Sequence, residues 1–208
     1  MPGQPLPSPN RPLRCFVGLP LPESWQAGLL RATRRLAEVL SSRISWTRPG
    51  NWHLTLKFLG NVDAAQLPAV VEALRGVHFA PFTLVAGRAG YFPGLGPPPG
   101  RPPRVLWLGL ALGGEQSVRL AADVEQALVP LGFAPEARPF SAHLTLGRVK
   151  DAARGDDWGA VELAVAELAV AGEVWPAAGI NGFVLWQSLP GAGGPQYKAL
   201  AQFPARQG

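Results

Sequence analysis

Residues Asn51 to Gly60 read NWHLTLKFLG, and residues Ala142 to Lys150 read AHLTLGRVK. The chain has three histidines, and two of them, His53 and His143, open the same tetrapeptide 90 residues apart. Chance recurrence of four residues is improbable, and strand packing alone gives no reason to choose histidine twice. The repeated HLTL therefore indicates two related halves, each built around one copy of the motif.

The pattern around the two copies is similar in both halves. An apolar strand and an amphipathic helix precede each HLTL strand, and a further helix and closing strands follow it. The predicted strands cover residues 15–21, 44–47, 53–59, 82–92, 104–112, 140–149, 183–189 and 197–203, and the predicted helices cover 24–40, 66–75, 115–131 and, weakly, 159–170. Strands interleaved with helices in this way indicate an α+β or α/β architecture whose sheets are exposed on one face.

Length and composition limit the class of protein. The 208 residues, 47% of them hydrophobic, are enough for one domain with a full core. Residues 1–13 are rich in proline and lack the apolar stretch of a secretory signal, so we expect a disordered tail before a single domain over residues 14–208. No apolar run reaches the roughly 18 to 20 residues that a membrane helix needs. We therefore expect a soluble, cytoplasmic monomer, with a loop at the proline- and glycine-rich residues 93–103.

Cysteine content and charge narrow the choice of partners. The single cysteine, Cys15, excludes an internal disulfide and a cysteine metal cluster. The net charge is +5, and residues 1–60 contain eight Lys or Arg but only two acidic residues, Glu23 and Glu38. This distribution favours a polyanionic partner such as nucleic acid, although many solvated surfaces are basic without one.

The HLTL motif places two polar side chains on one face of a strand. Because side chains alternate between faces, His53 and Thr55 point one way while the two leucines of the motif point the other. His143 and Thr145 repeat this arrangement. If the halves are related by an approximate twofold axis, the two polar faces meet across a cleft and form one site with two histidines and two threonines.

Such a site suits a phosphate ester. A neutral imidazole can take a proton from an attacking water or hydroxyl, while a protonated one gives a proton to the departing oxygen. The threonine hydroxyls can donate to the non-bridging oxygens and hold the phosphorus between the rings. This chemistry needs no metal and no other cofactor.

Other interpretations of the histidines are weaker. A lone histidine in an apolar strand is usually structural. We also interpret His78 as structural, because it stands at a helix end without a comparable neighbour. A zinc site would need a third or fourth ligand, and neither motif has an adjacent H-x-H, H-E-x-x-H or acidic cluster. A serine nucleophile at Ser141 would lack both the G-x-S-x-G turn and an acidic residue to orient its base.

The two motifs and their surroundings resemble a known family. A pair of H-x-[TS]-x motifs is the signature of the 2H phosphoesterases, and the wider sequence is similar to the bacterial RNA 2′,3′-cyclic phosphodiesterases, also called 2′-5′ RNA ligases. The supporting stretches are CFVGLPLP, WTRPGNWHLTLKFLGNVD, PPRVLWLGL, LGFAPEARPFSAHLTLGRVK and FVLWQSLPGAGGPQYKALAQF. The similarity covers nearly all of residues 14–203.

The resemblance implies an α+β fold of two pseudo-twofold-related lobes, each an antiparallel sheet with helices on its outer face, around a central groove. It implies metal-independent opening of RNA 2′,3′-cyclic phosphate ends to 2′-phosphomonoesters, with weak ATP-independent 2′-5′ ligation in reverse. By motif position, His53 is the general acid and His143 the general base, although the sequence does not fix which ring has which role. Thr55, Thr145 and Arg148 would bind the phosphate. Arg148 is five residues from His143, so it reaches the groove only through a bulge or bend.

Two alternatives to this function stay open. One is an RNA-end or nucleotide-binding module without turnover, and the other is a phosphodiesterase for ADP-ribose cyclic phosphate or 2′-5′ oligonucleotides. If the ligand is RNA, the cations available to line its path are Arg14, Arg43, Arg48 and Lys57. The side chains available to stack a base are Trp46, Phe58 and Tyr91.

Overall fold

The computed structural model describes residues 12–93, 103–170, 175–192 and 194–206, without the side chains of residues 167–170. The predicted tail therefore lies outside the described residues up to position 11, as does most of the predicted loop at 93–103. The first strand already begins at Leu13, one residue earlier than the predicted domain boundary.

The described chain contains nine strands and four α-helices. The strands are β1 (Leu13–Pro20), β2 (Arg43–Trp46), β3 (His53–Val62), β4 (Phe82–Phe92), β5 (Val105–Leu112), β6 (Leu144–Asp151), β7 (Ala178–Ile180), β8 (Gly182–Leu189) and β9 (Gln196–Pro204). The helices are α1 (Glu23–Val39), α2 (Leu67–Arg75), α3 (Gly114–Leu128), followed by a 3₁₀ turn (Val129–Leu131), and α4 (Ala160–Val170). No described helix has the combination of length and apolar character that crossing a membrane requires.

The sheet is symmetric about its centre. Its strands follow the order β7-β4-β5-β6-β3-β1-β8-β9, and β2 pairs separately with β6. A twofold operation between β3 and β6 exchanges β1 with β5, β8 with β4 and β9 with β7. The two lobes of the sheet, β7-β4-β5-β6 and β3-β1-β8-β9, meet in the middle through one antiparallel pair, Leu54 with Leu144. The predicted α+β architecture with two pseudo-twofold-related lobes is confirmed.

The helices cover one face of this sheet and leave the other open. The leucines of both motifs point to the helices and are at most 4% exposed: Leu54, Leu56, Leu144 and Leu146. Helix α3 packs on β3 and helix α1 on β6, so each helix supports the motif strand of the other half. Burial of these leucines therefore fixes which face of each strand carries the histidine and threonine.

A β-bulge follows the threonine in each motif strand. Against β1, Gly18 pairs with Thr55 and Val17 pairs with Lys57, so Leu56 is an extra residue. Against β5, Trp107 pairs with Thr145 and Leu106 with Gly147, which leaves Leu146 as the extra residue in the same way. A bulge moves the following side chains to the opposite face. Lys57 therefore turns toward the helices, and Phe58 and Arg148 turn toward the open face.

Three predicted boundaries were wrong by three or more residues, one of them the end of β3, which runs to Val62 and not to Leu59. The second motif strand begins at Leu144 rather than at Phe140, so His143 stands at the entrance of the strand and not within it. The reason is that the Ser141 carbonyl bonds to the imidazole of His143 instead of to a neighbouring strand. The third helix ends at Leu128 and tightens into a 3₁₀ turn, because Pro130 has no N–H to donate.

Candidate active site

The central strand pair brings the two motifs together. Leu54 lies opposite Leu144, and extending this antiparallel register by one residue on each side places His53 opposite Thr145 and Thr55 opposite His143. Directly opposite side chains share a face, and diagonal neighbours in such a pair are about 7–8 Å apart. The two imidazoles are therefore diagonal neighbours on the open face, with a hydroxyl beside each.

Each imidazole is held by the same local contact. The Nδ1 of His53 lies 2.8 Å from the Asn51 carbonyl oxygen, and the Nδ1 of His143 lies 2.7 Å from the Ser141 carbonyl oxygen. A carbonyl can only accept, so Nδ1 carries the proton in both rings. The Nε2 of each neutral ring is then an unprotonated acceptor, and each protonated ring can donate from Nε2.

Both imidazoles are poised as neutral rings in the free protein. Burial lowers the pKa of His53 to about 4, against the Asn51 hydrogen bond, and the charges of Arg148 and His143 lower it further. Burial also lowers the pKa of His143, again against its backbone hydrogen bond and with help from Arg148. Because the charge of one ring affects the other, the two histidines titrate as a coupled pair.

The surroundings of the two rings differ. The ring centroid of His53 lies 4.6 Å from that of Phe16, 5.1 Å from that of Tyr197 and 5.7 Å from that of Trp186. The ring of His143 has Phe92 edge-on at 5.1 Å. His53 thus packs against an aromatic wall in which Phe16 is itself 3% exposed. Phe16 and Tyr197 line the cavity around His53, whereas Trp186 does not. The partly exposed Tyr197 is the member that can offer an apolar face to a nucleoside.

The bulge at Leu146 turns the side chain of Arg148 onto the open face of the sheet. Arg148 is exposed, lies in the same cavity as His53, Thr55 and Thr145, and its charge reaches both imidazoles. The predicted requirement for a bulge is met, since Leu146 is the extra residue before it. The guanidinium is therefore placed to neutralise an anion bound between the rings.

A cavity of about 450 Å³ opens on this face. Of the site residues, it is lined by His53, Thr55, Thr145 and Arg148, whereas His143 is not among its lining residues. His53 therefore faces the space where the body of a ligand would lie.

The predicted RNA-contacting side chains divide into two groups. Those that line the cavity are Arg14, Arg48, Trp46 and Phe58. Tyr91 instead packs edge-on against Trp158, with ring centroids 5.9 Å apart. Arg43 is exposed on β2 opposite Asp151, outside the cavity lining.

Lys57 was placed on the wrong face by sequence alternation. Its side chain is 2% exposed, and its Nζ donates to Glu125 Oε1 at 2.8 Å and to the Ala134 carbonyl at 2.9 Å. The same carboxylate accepts from the backbone N–H of Glu136, and the Lys57 hydrogen bond holds the pKa of Glu125 below its ordinary value. This buried network ties β3 to the segment that leads to His143.

The spacing of the potential metal ligands bears on the expectation that the chain has no metal site. Among the residues that the structure describes, no three His, Cys, Asp or Glu side chains come close enough to hold one metal ion. Cys15 is buried in β1, where burial raises the pKa of its thiol to about 11. The third histidine, His78, is exposed after the end of α2, apart from the two motifs.

Sequence reasoning missed the aromatic wall beside His53. Phe16, Trp186 and Tyr197 come from three strands, β1, β8 and β9, that meet only in the folded sheet. The Phe16 and Trp186 pair is visible as a register match, but only once the strand order is known. No local pattern in the chain marks these residues.

The similarity of this chain to known proteins agrees with the geometry. The family model for LigT-like phosphoesterases matches residues 19–107 and 113–197. The chain belongs to this family. Both HLTL motifs and the Arg148 position lie within the matched residues, whereas Phe16 of the aromatic wall precedes them.

Curated proteins similar to this chain are named RNA 2′,3′-cyclic phosphodiesterases. An RNA 2′,3′-cyclic phosphodiesterase of Archaeoglobus fulgidus is 34% identical over 191 residues, which are 92% of this chain and 99% of that protein. An RNA 2′,3′-cyclic phosphodiesterase of Methanothermobacter thermautotrophicus is 34% identical over 143 residues, covering 66% of this chain and 72% of its relative.

Solved structures show the same fold. A protein of Thermus thermophilus superimposes with a TM-score of 0.73 at 26% identity, covering 93% of this chain and 98% of that one. The LigT of Escherichia coli, crystallised with 3′-AMP, superimposes with a TM-score of 0.68 at 23% identity, covering 94% and 99%. The bilobal sheet with a central groove is therefore the LigT-like fold.

Proposed function

We propose that this protein hydrolyses the 2′,3′-cyclic phosphate ends of RNA to 2′-phosphomonoesters, without a metal ion. The observation that carries the proposal is the matching pair of imidazoles, each with Nδ1 bonded to a carbonyl and Nε2 left for chemistry. The names of the curated relatives supply the substrate class. Only a ribose 2′-oxygen permits the cyclic ester, so the substrate is RNA or a ribonucleotide.

The reaction needs two proton transfers at one phosphorus atom. The neutral His143 takes a proton at Nε2 from the attacking water, whose oxygen forms the new bond to phosphorus. The bond between phosphorus and the 3′-oxygen breaks, and the protonated His53 gives its Nε2 proton to that oxygen. The product is a 2′-phosphomonoester with a free 3′-hydroxyl. His53 is left neutral and His143 protonated, so the protonation states of the two rings are exchanged.

The position of the cavity supports this division of roles. The leaving 3′-oxygen belongs to the ribose, so the general acid must stand on the nucleoside side of the phosphorus. His53 lines the cavity and touches the aromatic wall, whereas His143 is not among the lining residues. Water, which attacks from the side opposite the leaving oxygen, then approaches from His143.

The threonines and Arg148 act on the phosphate oxygens. Thr55 and Thr145 each stand beside one imidazole and can donate to a non-bridging oxygen. Arg148 adds a fixed positive charge in the same cavity. A bound phosphodiester anion would in turn oppose the burial that lowers the pKa of His53, because an opposite charge favours the protonated ring. Substrate binding is thus linked to the uptake of a proton.

This linkage predicts the pH dependence of kcat/KM. The reactive form of the free protein has one ring protonated and the other neutral. Because burial lowers the pKa values of both rings below the ordinary 6.5, that of His53 to about 4, the reactive form already declines as the pH rises toward 6.5 and declines again below about 4. A profile from pH 3 to 9 with adenosine 2′,3′-cyclic phosphate should therefore be bell-shaped, with its maximum between about 4 and 6.5. A maximum above pH 7 would contradict this assignment.

Metal independence has a direct test. Turnover of adenosine 2′,3′-cyclic phosphate should be unchanged after dialysis against excess EDTA, because acid, base and phosphate donors are all side chains of the chain. The product should be the 2′-monophosphate, resolved from the 3′-isomer by chromatography. Loss of turnover that Zn²⁺ or Mn²⁺ restores would overturn the metal-free mechanism, and tight binding without product would identify a binding module instead.

The same groove can act in reverse or on related esters. A hydroxyl end that takes the place of water would be joined to the cyclic phosphate without ATP, although the high concentration of water favours hydrolysis. ADP-ribose cyclic phosphate and 2′-5′ oligonucleotides present the same phosphorus chemistry with different surroundings. Parallel assays with these substrates rank them against RNA ends, and a higher kcat/KM for either would replace RNA in the proposal.

A further inference from the structure

Phe58 is an aromatic side chain that is exposed to solvent on the open face of the sheet. It is 56% exposed and is the one aromatic among the large exposed hydrophobic side chains of the described residues, the others being Leu112, Val118, Val129 and Leu163. The bulge at Leu56 turns it onto the open face. Under the pseudo-twofold operation Phe58 corresponds to Arg148, since each is the third residue after a motif threonine.

Phe58 lies in the substrate cavity but away from the histidines. It lines the same cavity as Arg14 and Gly60, and its ring centroid is 6.2 Å from that of Phe16. It stands five positions beyond His53 in β3, or about 13 Å along the strand once the bulged residue is discounted. Phe16, a member of the aromatic wall with Trp186 and Tyr197, lies between the two side chains, since its ring centroid is also 4.6 Å from that of His53.

The chemistry of this position fits a second nucleobase. A phosphate held at His53 and Thr55 places the terminal nucleoside against Tyr197, the partly exposed member of the aromatic wall that lines the cavity, so Phe58 is left for the next base along the strand. Every base has a flat face that can stack on a phenyl ring. Arg14, exposed in the same cavity, is placed for the phosphodiester that links the two nucleotides.

We propose that Phe58 stacks the nucleobase on the 5′ side of the terminal nucleotide, so that the enzyme prefers the end of an RNA strand to a free cyclic mononucleotide. This inference rests on the proposed function for its choice of ligand. It assigns Phe58 to specificity and leaves the chemical step to the two histidines.

The test compares one substrate with and without a 5′ neighbour. The substrates are adenosine 2′,3′-cyclic phosphate and a triadenylate that ends in the same cyclic phosphate. Phe58→Leu should lower kcat/KM for the triadenylate by about 10-fold, within the range for the loss of one stacked base, and leave the mononucleotide value unchanged. Phe58→Trp should keep the preference, and Val118→Ala, an exposed substitution on α3, should alter neither value.

The outcomes separate this proposal from the proposed function. Equal losses on both substrates would place Phe58 at the terminal base and overturn the inference, as would no loss on either. A binding arm needs no turnover: the Kd of a triadenylate 3′-phosphate should rise about 10-fold in Phe58→Leu, while that of 3′-AMP should not. This difference should persist at high salt, because stacking, unlike phosphate contact, is weakly screened. Failure of turnover with this binding pattern intact would overturn the catalytic proposal alone.

Discussion

His53→Ala and His143→Ala are each expected to lower kcat for a 2′,3′-cyclic nucleotide by at least about 10², the contribution typical of one positioned general acid or base. Both rings act in a single step, so the double variant should lose about as much as either single variant rather than the product of the two losses. The measurement is the initial rate at saturating substrate, at the pH optimum of the wild-type protein.

The third histidine supplies the matched control. His78→Ala removes an exposed imidazole outside both motifs and should leave kcat within experimental error of the wild type. Thermal unfolding of all four variants separates a catalytic loss from a folding loss. Near-wild-type turnover in either motif variant, or a double variant whose loss multiplies the two single losses, would contradict the acid–base pair.

Glu125→Ala is expected to lower the free energy of unfolding by about 3 kcal/mol, because it leaves the buried ammonium of Lys57 without its anionic partner. The Lys57 side chain is 2% exposed and that of Glu125 is 23% exposed, so water can replace only part of the lost contact. Replacing both partners together, as in Lys57→Met with Glu125→Leu, removes the charges and should cost clearly less than Glu125→Ala alone. Urea denaturation of the three proteins gives the comparison.

An exposed ion pair on α2 provides the reference. Arg75 and Glu72 are 2.9 Å apart, with side chains 64% and 74% exposed, so Glu72→Ala should cost less than about 1 kcal/mol. Glu125 also anchors the segment before His143, through the backbone N–H of Glu136. If Glu125→Ala costs no more than Glu72→Ala, the network does not hold that segment as the structure indicates.

Much of the fold follows from periodicity within the chain. The apolar alternation around His53 and His143 identifies both motif strands and the face that each buries, because one-sided burial specifies register strongly. The helices α1 and α2 likewise follow from their apolar stripes. The family resemblance then adds the pairing of the two lobes, which local patterns cannot supply.

The misplacement of Lys57 and the missed aromatic residues beside His53 have one physical origin, which is that bulges and long-range pairings leave no local mark. Strict alternation places Lys57 with His53 and Thr55, and the bulge at Leu56 reverses it. The equivalent bulge at Leu146 brings Arg148 to the groove, which alternation alone would forbid. The start of β6 shifts for a different, local reason, since the Ser141 carbonyl bonds to the His143 side chain two residues further on.

The two halves of the site match in mechanism and differ in surroundings. Each supplies an imidazole, a hydroxyl and a carbonyl that orients the ring. The His53 half adds Phe16 and Tyr197 around its ring, whereas Arg148 of the other half takes the position that corresponds to Phe58. In the proposed mechanism, symmetry provides the acid–base pair, and the departures from symmetry set the direction in which a nucleotide binds.

The central claim is that both imidazoles act on one phosphorus atom. A crystal structure with the product, adenosine 2′-monophosphate, tests it most directly. The claim predicts a phosphate oxygen within hydrogen-bonding distance, about 3.2 Å or less, of Nε2 of His53, another equally close to Nε2 of His143, and the adenosine on the His53 side. A phosphate that contacts one ring only, or that binds away from both, would contradict it.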